Sequence, residues 1–173
     1  MHFTHHQGWC AMYFKQSDLF WGLRHDFVKK VMEQSTIRKC PSGTYIFREG
    51  DSALNFYMLI KGHIRLKIGD TGIVIHTICQ AGECFGWSSL LDRPVYSASA
   101  ECREPSDLLV VGADRLNRVI EEDNANGLVF IKRLAGLIGN RLIQNYRMVS
   151  TMTSMETMCS YGTGQVLESA VEV

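Results

Sequence analysis

The chain reads as a mainly β protein with flanking helices: a closed, two-sheet antiparallel roll between one preceding helix and a long following one. Three observations predict it. Between Thr36 and Val111, short runs rich in β-branched and aromatic residues recur, separated by glycine-bearing turns. Within that region His63–Ile68 alternates apolar and polar residues, as a strand with one dry and one wet face does. On either side of it, apolar residues switch to spacings of three and four, the period of a helix face.

Ser17-Asp18 places an oxygen side chain where a helix cap belongs, and Leu19, Leu23, Phe27 and Val31 follow at helical spacing. One amphipathic helix to about Gln34 is expected, with Phe20, Trp21 and Phe27 packed on the core. Thr36–Cys40 and Thr44–Arg48 are strands around the turn Pro41-Ser42-Gly43. Asn55–Ile60 is almost entirely apolar, so both its faces should be covered. His63–Ile68 and Ile73–Cys79 form a hairpin across Gly69-Asp70-Thr71-Gly72. Tyr96–Ala100 alternates small and larger groups as a strand does, and Leu108–Val111 is the last strand.

After that hairpin lies the stretch around which the rest is arranged, Phe85 to Ala100. Gly86 reaches backbone angles that a side chain forbids, Trp87–Leu91 is long enough for one helical turn, and Pro94 stops it. Strand, glycine, turn and strand make a small cradle whose free N–H groups favour an anion or a carbonyl. Asp114–Glu121 is then a short helix. The acidic run Glu121-Glu122-Asp123 precedes a long helix, capped by Asp123 or Asn124, where negative charge suits the dipole. Along it Leu128, Ile131, Ala135, Ile138, Leu142, Asn145 and Val149 form a heptad seam, while Phe130, Leu134 and Leu137 make a second stripe. One stripe can lie on the roll while the other meets a second copy in a two-fold dimer, with Asn145 fixing register. The alternative is that one monomer buries both. The organisation expected is therefore a mobile leader (1–16), a roll with its short helices (17–122), the long helix (123–150) and a disordered tail (151–173).

Composition narrows the function. Among 173 residues, 18 Lys+Arg balance 18 Asp+Glu, so no net charge draws the chain to nucleic acid or an anionic membrane. No apolar run is long enough to span a bilayer, and the first residues lack the basic and apolar regions of a secretory signal, which reads as cytoplasmic. The six cysteines include no CxxC pair, which fits reduced thiols better than zinc or iron–sulfur. His2, His5, His6 and Cys10 sit in the leader and are not read as a metal site. His63 and His76 are read as solvent-facing strand residues, and no catalytic, metal or cofactor site is assigned.

Arg48-Glu49-Gly50-Asp51, then Phe56 through Ile64, then Gly82-Glu83-Cys84-Phe85-Gly86, Tyr96–Ala100 and the long helix together resemble the cyclic-nucleotide-binding domain of the catabolite-activator/Fnr family. The resemblance covers Leu19 to Val149. It implies an eight-stranded β-roll, of jelly-roll or cupin-like type, often dimerised through its long helix. It places the ligand against Phe85, Gly86, Trp87, Ser88, Ser89, Arg93, Tyr96, Ser97, Ala98 and Ser99.

Two departures qualify the ligand. Where nucleotide-binding members carry a glutamate for the ribose and an arginine for the cyclic phosphate, this chain has Trp87 and Tyr96. An indole cannot accept a hydrogen bond from a hydroxyl, and a phenol lacks the charge and second donor of a guanidinium. Haem-sensing relatives place a Cys and a His in the cradle, where Gly86 and Ser88 stand here. DNA-binding relatives add a winged helix-turn-helix after the dimer helix. Here only 23 residues follow Ser150, without one Lys or Arg, so direct DNA binding is not expected. The expected function is a non-enzymatic, dimeric sensor that takes a small effector in the cradle and signals through the long helix to a partner protein. A scaffold with a vestigial pocket, and true cyclic AMP or cyclic GMP binding, are the alternatives.

Overall fold

The computed structural model describes residues 17–69, 71–91, 93–152, 158–161 and 165–168, so the expected leader lies outside the described residues. The chain divides after Leu137 into two compact units, each taken by itself.

The first unit is built on eight strands in two antiparallel sheets. One sheet runs β1 (Ser35–Cys40), β8 (Ser106–Gly112), β3 (Asn55–Lys61), β6 (Cys84–Phe85). The other runs β2 (Tyr45–Phe47), β7 (Ser99–Cys102), β4 (Ile64–Ile68), β5 (Ile73–Ile78). Alternation decides what each presents inward. Ile64 and Leu66 of β4 pair with Cys102 and Ala100 of β7, and all four are buried; Arg65 and Lys67 pair with Glu101 and Ser99 on the outer face. The apolar β3 serves two cores, as its composition requires. Tyr57 and Leu59 face the space between the sheets, while Phe56 turns outward onto Phe130.

Helix α1 is shorter than its apolar spacing predicts. It spans His25–Glu33, and the residues before it fold as a turn in which Phe20 and Trp21 donate to the Ser17 carbonyl. The reason is Gly22, whose φ of +67° leaves the helical region. Ser17 caps nothing; its hydroxyl donates to the Gly82 carbonyl at 2.7 Å. Phe20 and Phe27 are buried as expected, but Trp21 is 67% exposed. The strand expected at Tyr96–Ala100 begins three residues later, at Ser99.

Helix α2 (Ala113–Glu122) and helix α3 (Asn124–Met152) follow, and Asp123 caps α3 by accepting from the Asn126 N–H at 3.3 Å. Phe130 and Leu134 of α3 are buried in the first unit, and Phe130 gathers the rings of Phe20, Phe27 and Phe56. Beyond Leu137, Leu142 is 46% exposed. Most of the segment expected to be a structureless tail lies outside the described residues; within it β9 (Met158–Tyr161) pairs antiparallel with β10 (Gln165–Glu168). Among the described residues, no helix is long and apolar enough to cross a membrane.

Candidate functional site: the cradle after strand β6

Gly86 sets the geometry. Its φ is +75°, and a Cβ there would lie 2.8 Å from Cδ2 of Tyr57 and 3.1 Å from the Asn55 carbonyl. The sequence must therefore be glycine, and the chain can turn tightly into the 3₁₀ turn Trp87–Leu90. Ser89 closes that turn on itself, its hydroxyl donating to the Gly86 carbonyl at 2.9 Å. Ser88 is buried and Trp87 half-buried. The turn packs against β3 and against α2.

Tyr96 is the decisive side chain. Its ring stacks on Phe47 at 3.7 Å and 16°, and is buried. Its hydroxyl donates to the Asn55 carbonyl at 2.8 Å and accepts from the Asn55 N–H at 3.0 Å. Burial raises its phenol well above the ordinary tyrosine range. Phe47, Tyr57, Phe85 and Tyr96 thus form one aromatic group between the sheets, with Tyr57 stacked on Phe85 at 5.1 Å. The position where the resemblance implies a phosphate clamp holds a neutral ring whose polar atom is already satisfied.

The other predicted site residues separate. Phe85 is core and Ala98 is half-buried, whereas Arg93 and Ser97 are exposed. Ser99 belongs to the outer face, opposite Lys67, and its hydroxyl accepts from the Glu49 N–H at 2.9 Å. The nearby cations are engaged outside as well: Arg48 lies 3.8 Å over the Tyr45 ring, and Lys67 pairs with Glu101.

Two polar residues within the roll were not read from the sequence. His76, expected to face solvent, sits opposite Leu66 on the inner face, because a bulge between Leu66 and Lys67 shifts the alternation of β5. Its Nε2 is buried, 3.8 Å from Oε1 of Glu83. Burial opposes a charge on Glu83, but the His76 ring and the N–H groups of Gln80 (2.8 Å) and Cys79 (2.9 Å) hold its carboxyl below the usual range. His63 is solvent-facing as expected, beside Glu104. Among the described residues no three His, Cys, Asp or Glu side chains gather as metal ligands, and Cys40, Cys79 and Cys102 are free thiols.

Along α3, Leu128, Ile131, Ala135, Leu142 and Val149 of the predicted seam are exposed, and Ile138 and Asn145 half-buried. The second stripe behaves differently, with Phe130 and Leu134 buried.

Comparison with known proteins agrees with this architecture. The family model described as "Cyclic nucleotide-binding domain" matches residues 37–123. The cyclic AMP receptor protein of Thermus thermophilus is 35% identical over 99 residues, 56% of this chain and 46% of that protein. The anaerobic regulatory protein of Bacillus subtilis is 32% identical over 101 residues, 57% of this chain and 42% of that protein. The chain thus spans less than half the length of these curated relatives. Among solved structures, a cyclic nucleotide-binding domain from Methylobacillus flagellatus superposes with a TM-score of 0.74 at 21% identity, covering 87% of this chain and 86% of that one. A two-sheet roll with a glycine-led cradle, matched by that model over half its length, places this chain in the cyclic nucleotide-binding domain family.

Proposed function

We propose that this domain is a non-enzymatic sensor that pairs with a second copy along α3 and responds to a small effector other than a phosphate-clamped cyclic nucleotide. The observation that carries the reading is Tyr96. A cyclic phosphate entering the roll would meet a stacked phenol with both hydrogen bonds spent on Asn55, and no guanidinium. Losing a charge-assisted pair at a buried phosphate costs about 2–5 kcal/mol, which is tens-fold to thousands-fold in affinity. Dimerisation is supported by the contrast on α3 between buried Phe130 and Leu134 and exposed Leu128 and Ile131. Signalling is supported by packing: the 3₁₀ turn touches α2, and only Asp123 separates α2 from α3. A change at the turn that two states bind unequally would then reach α3 and a partner protein that reads it.

A second reading has its own support. Four rings already fill the space behind the cradle, as a pairing scaffold with a vestigial pocket would have. Two measurements separate the readings. Isothermal titration with cyclic AMP and cyclic GMP should give no saturable heat at micromolar concentration; micromolar binding of either overturns the assignment. A thermal-shift panel of small neutral molecules and anions should contain a stabiliser, since a ligand at 100-fold its Kd adds about 2.7 kcal/mol. If nothing raises Tm, the scaffold reading stands instead.

A further inference from the structure

We propose that α1 acts as a latch on the junction between α2 and α3, with Arg24 as its catch and Phe130 as its pivot. The junction is a single residue. Asp123 stands between Glu122 and Asn124 with φ −133° and ψ 74°, outside the helical region. The corner is tight enough that a Cβ on Gly127 would come within 2.4 Å of the Ile120 carbonyl. Any change in the direction of α3 relative to α2 must pass through that residue.

The start of α1 is hydrogen-bonded to it. The Arg24 guanidinium donates to Oδ2 of Asp123 at 2.5 Å, and the Arg24 backbone N–H donates to Oδ1 of Asn126 at 3.0 Å. Asn126 returns to Asp123 through its side-chain Nδ2 at 2.9 Å. Arg24 is the residue that precedes α1, and no side chain of that helix caps it; the first turn of α3 receives its N–H instead. The guanidinium beside Asp123 holds that carboxyl below its usual range. A second pair, Lys30 with Glu122 at 2.9 Å, ties the far end of α1 to the end of α2.

The contact has two halves of different physics. The rings of Phe20 and Phe27 on Phe130, at 5.6 and 6.2 Å, are apolar and indifferent to ionic strength. The Arg24 side chain is 70% exposed, so its pair with Asp123 is weak, screened by salt and easily exchanged for water. A fixed apolar pivot beside a weak polar catch lets the junction loosen without unfolding the roll. The latch is independent of which effector, if any, enters the cradle.

The test is hydrogen–deuterium exchange on the full chain, with β3 and β8 as internal reference. Arg24→Ala and Asp123→Asn should each raise exchange severalfold in residues 124–134 and at the start of α1, leaving the two strands unchanged. Asparagine still caps a helix through its one accepting oxygen, so Asp123→Asn removes the charge pair and the bond from the Asn126 side-chain amide while keeping the cap. The double variant should be no faster than either single one. Raising NaCl from 50 to 500 mM (about a threefold shorter screening length) should reproduce the effect in the native chain and add nothing in Arg24→Ala. Unchanged exchange in Arg24→Ala overturns the latch, and so does acceleration spread evenly over the strands, which would make Arg24 a residue of general stability. Neither result bears on ligand binding, so the sensor reading is tested separately.

Discussion

At Gly86 and Tyr96 the two ends of the cradle are fixed by one piece of packing. The glycine lets the backbone lie against Tyr57, and Tyr96 closes the same aromatic group from the other side through Phe47. Gly86→Ala forces a left-handed residue and a contact at 2.8 Å, and should lower stability in urea unfolding by about 2–4 kcal/mol, backbone strain and overpacking together. Tyr96→Phe keeps the ring and removes both hydrogen bonds to Asn55, leaving that peptide unpaired at a cost of about 1–3 kcal/mol. Tyr96 also contributes to the alkaline limit. Its phenol is raised in the fold, so the unfolded chain loses that proton first, and stability is complete below the ordinary tyrosine value of 10.0 and falls as pH rises past it. Chemical denaturation between pH 8 and pH 11 should show that fall (about 1.4 kcal/mol per pH unit at most from one group); Tyr96→Phe should remove the Tyr96 share and leave that of Cys102, whose buried thiol is also raised in the fold, to about 11. That Tyr96 could not clamp a phosphate was legible in its chemistry. That it turns inward was not, because its direction follows from where β7 begins.

At the scale of the element, α3 answers two demands with two faces. Phe130 and Leu134 pack within the first unit, while Leu128 and Ile131 remain open. Phe130 is fully buried among three other rings, so Phe130→Ala should cost about 3–5 kcal/mol in urea unfolding. A loss below about 1 kcal/mol, the range of an unimportant surface position, would show that the aromatic cluster does not anchor the helix. Both stripes of α3 were readable from the 3.6-residue period alone. The beginning of α1 was not. Leu19 and Leu23 satisfy that same spacing from within a turn, and the helix waits for Gly22 to be passed. Likewise, clean alternation on β4 predicted its inward residues correctly, whereas the bulge opposite it hid the inward direction of His76.

For the whole molecule, the decisive quantity is what covers the seam. Leu128, Leu142 and Val149 are each about half exposed or more in one copy, which leaves apolar area that a second α3 would bury. The proposed pairing along α3 predicts a dimer for the native chain and a monomer for Leu142→Arg in light scattering, while circular dichroism retains the roll. A variant that stays dimeric removes the seam from the interface.

Period, turn chemistry and side-chain capability determined the two-sheet roll, the helices, the glycine-led cradle and the absence of a guanidinium where a phosphate would need one. These are local properties, written in spacings of two and of three to four and in what each functional group can donate or accept. The tertiary structure alone decided that Tyr96 fills the interior, that Ser99 leaves it, that His76 enters it, and that Arg24 meets Asp123 from 99 residues away. Those outcomes depend on strand register, on a bulge and on the meeting of segments far apart in the chain. A side chain's neighbours are set by the whole packed molecule, and no window of sequence contains them.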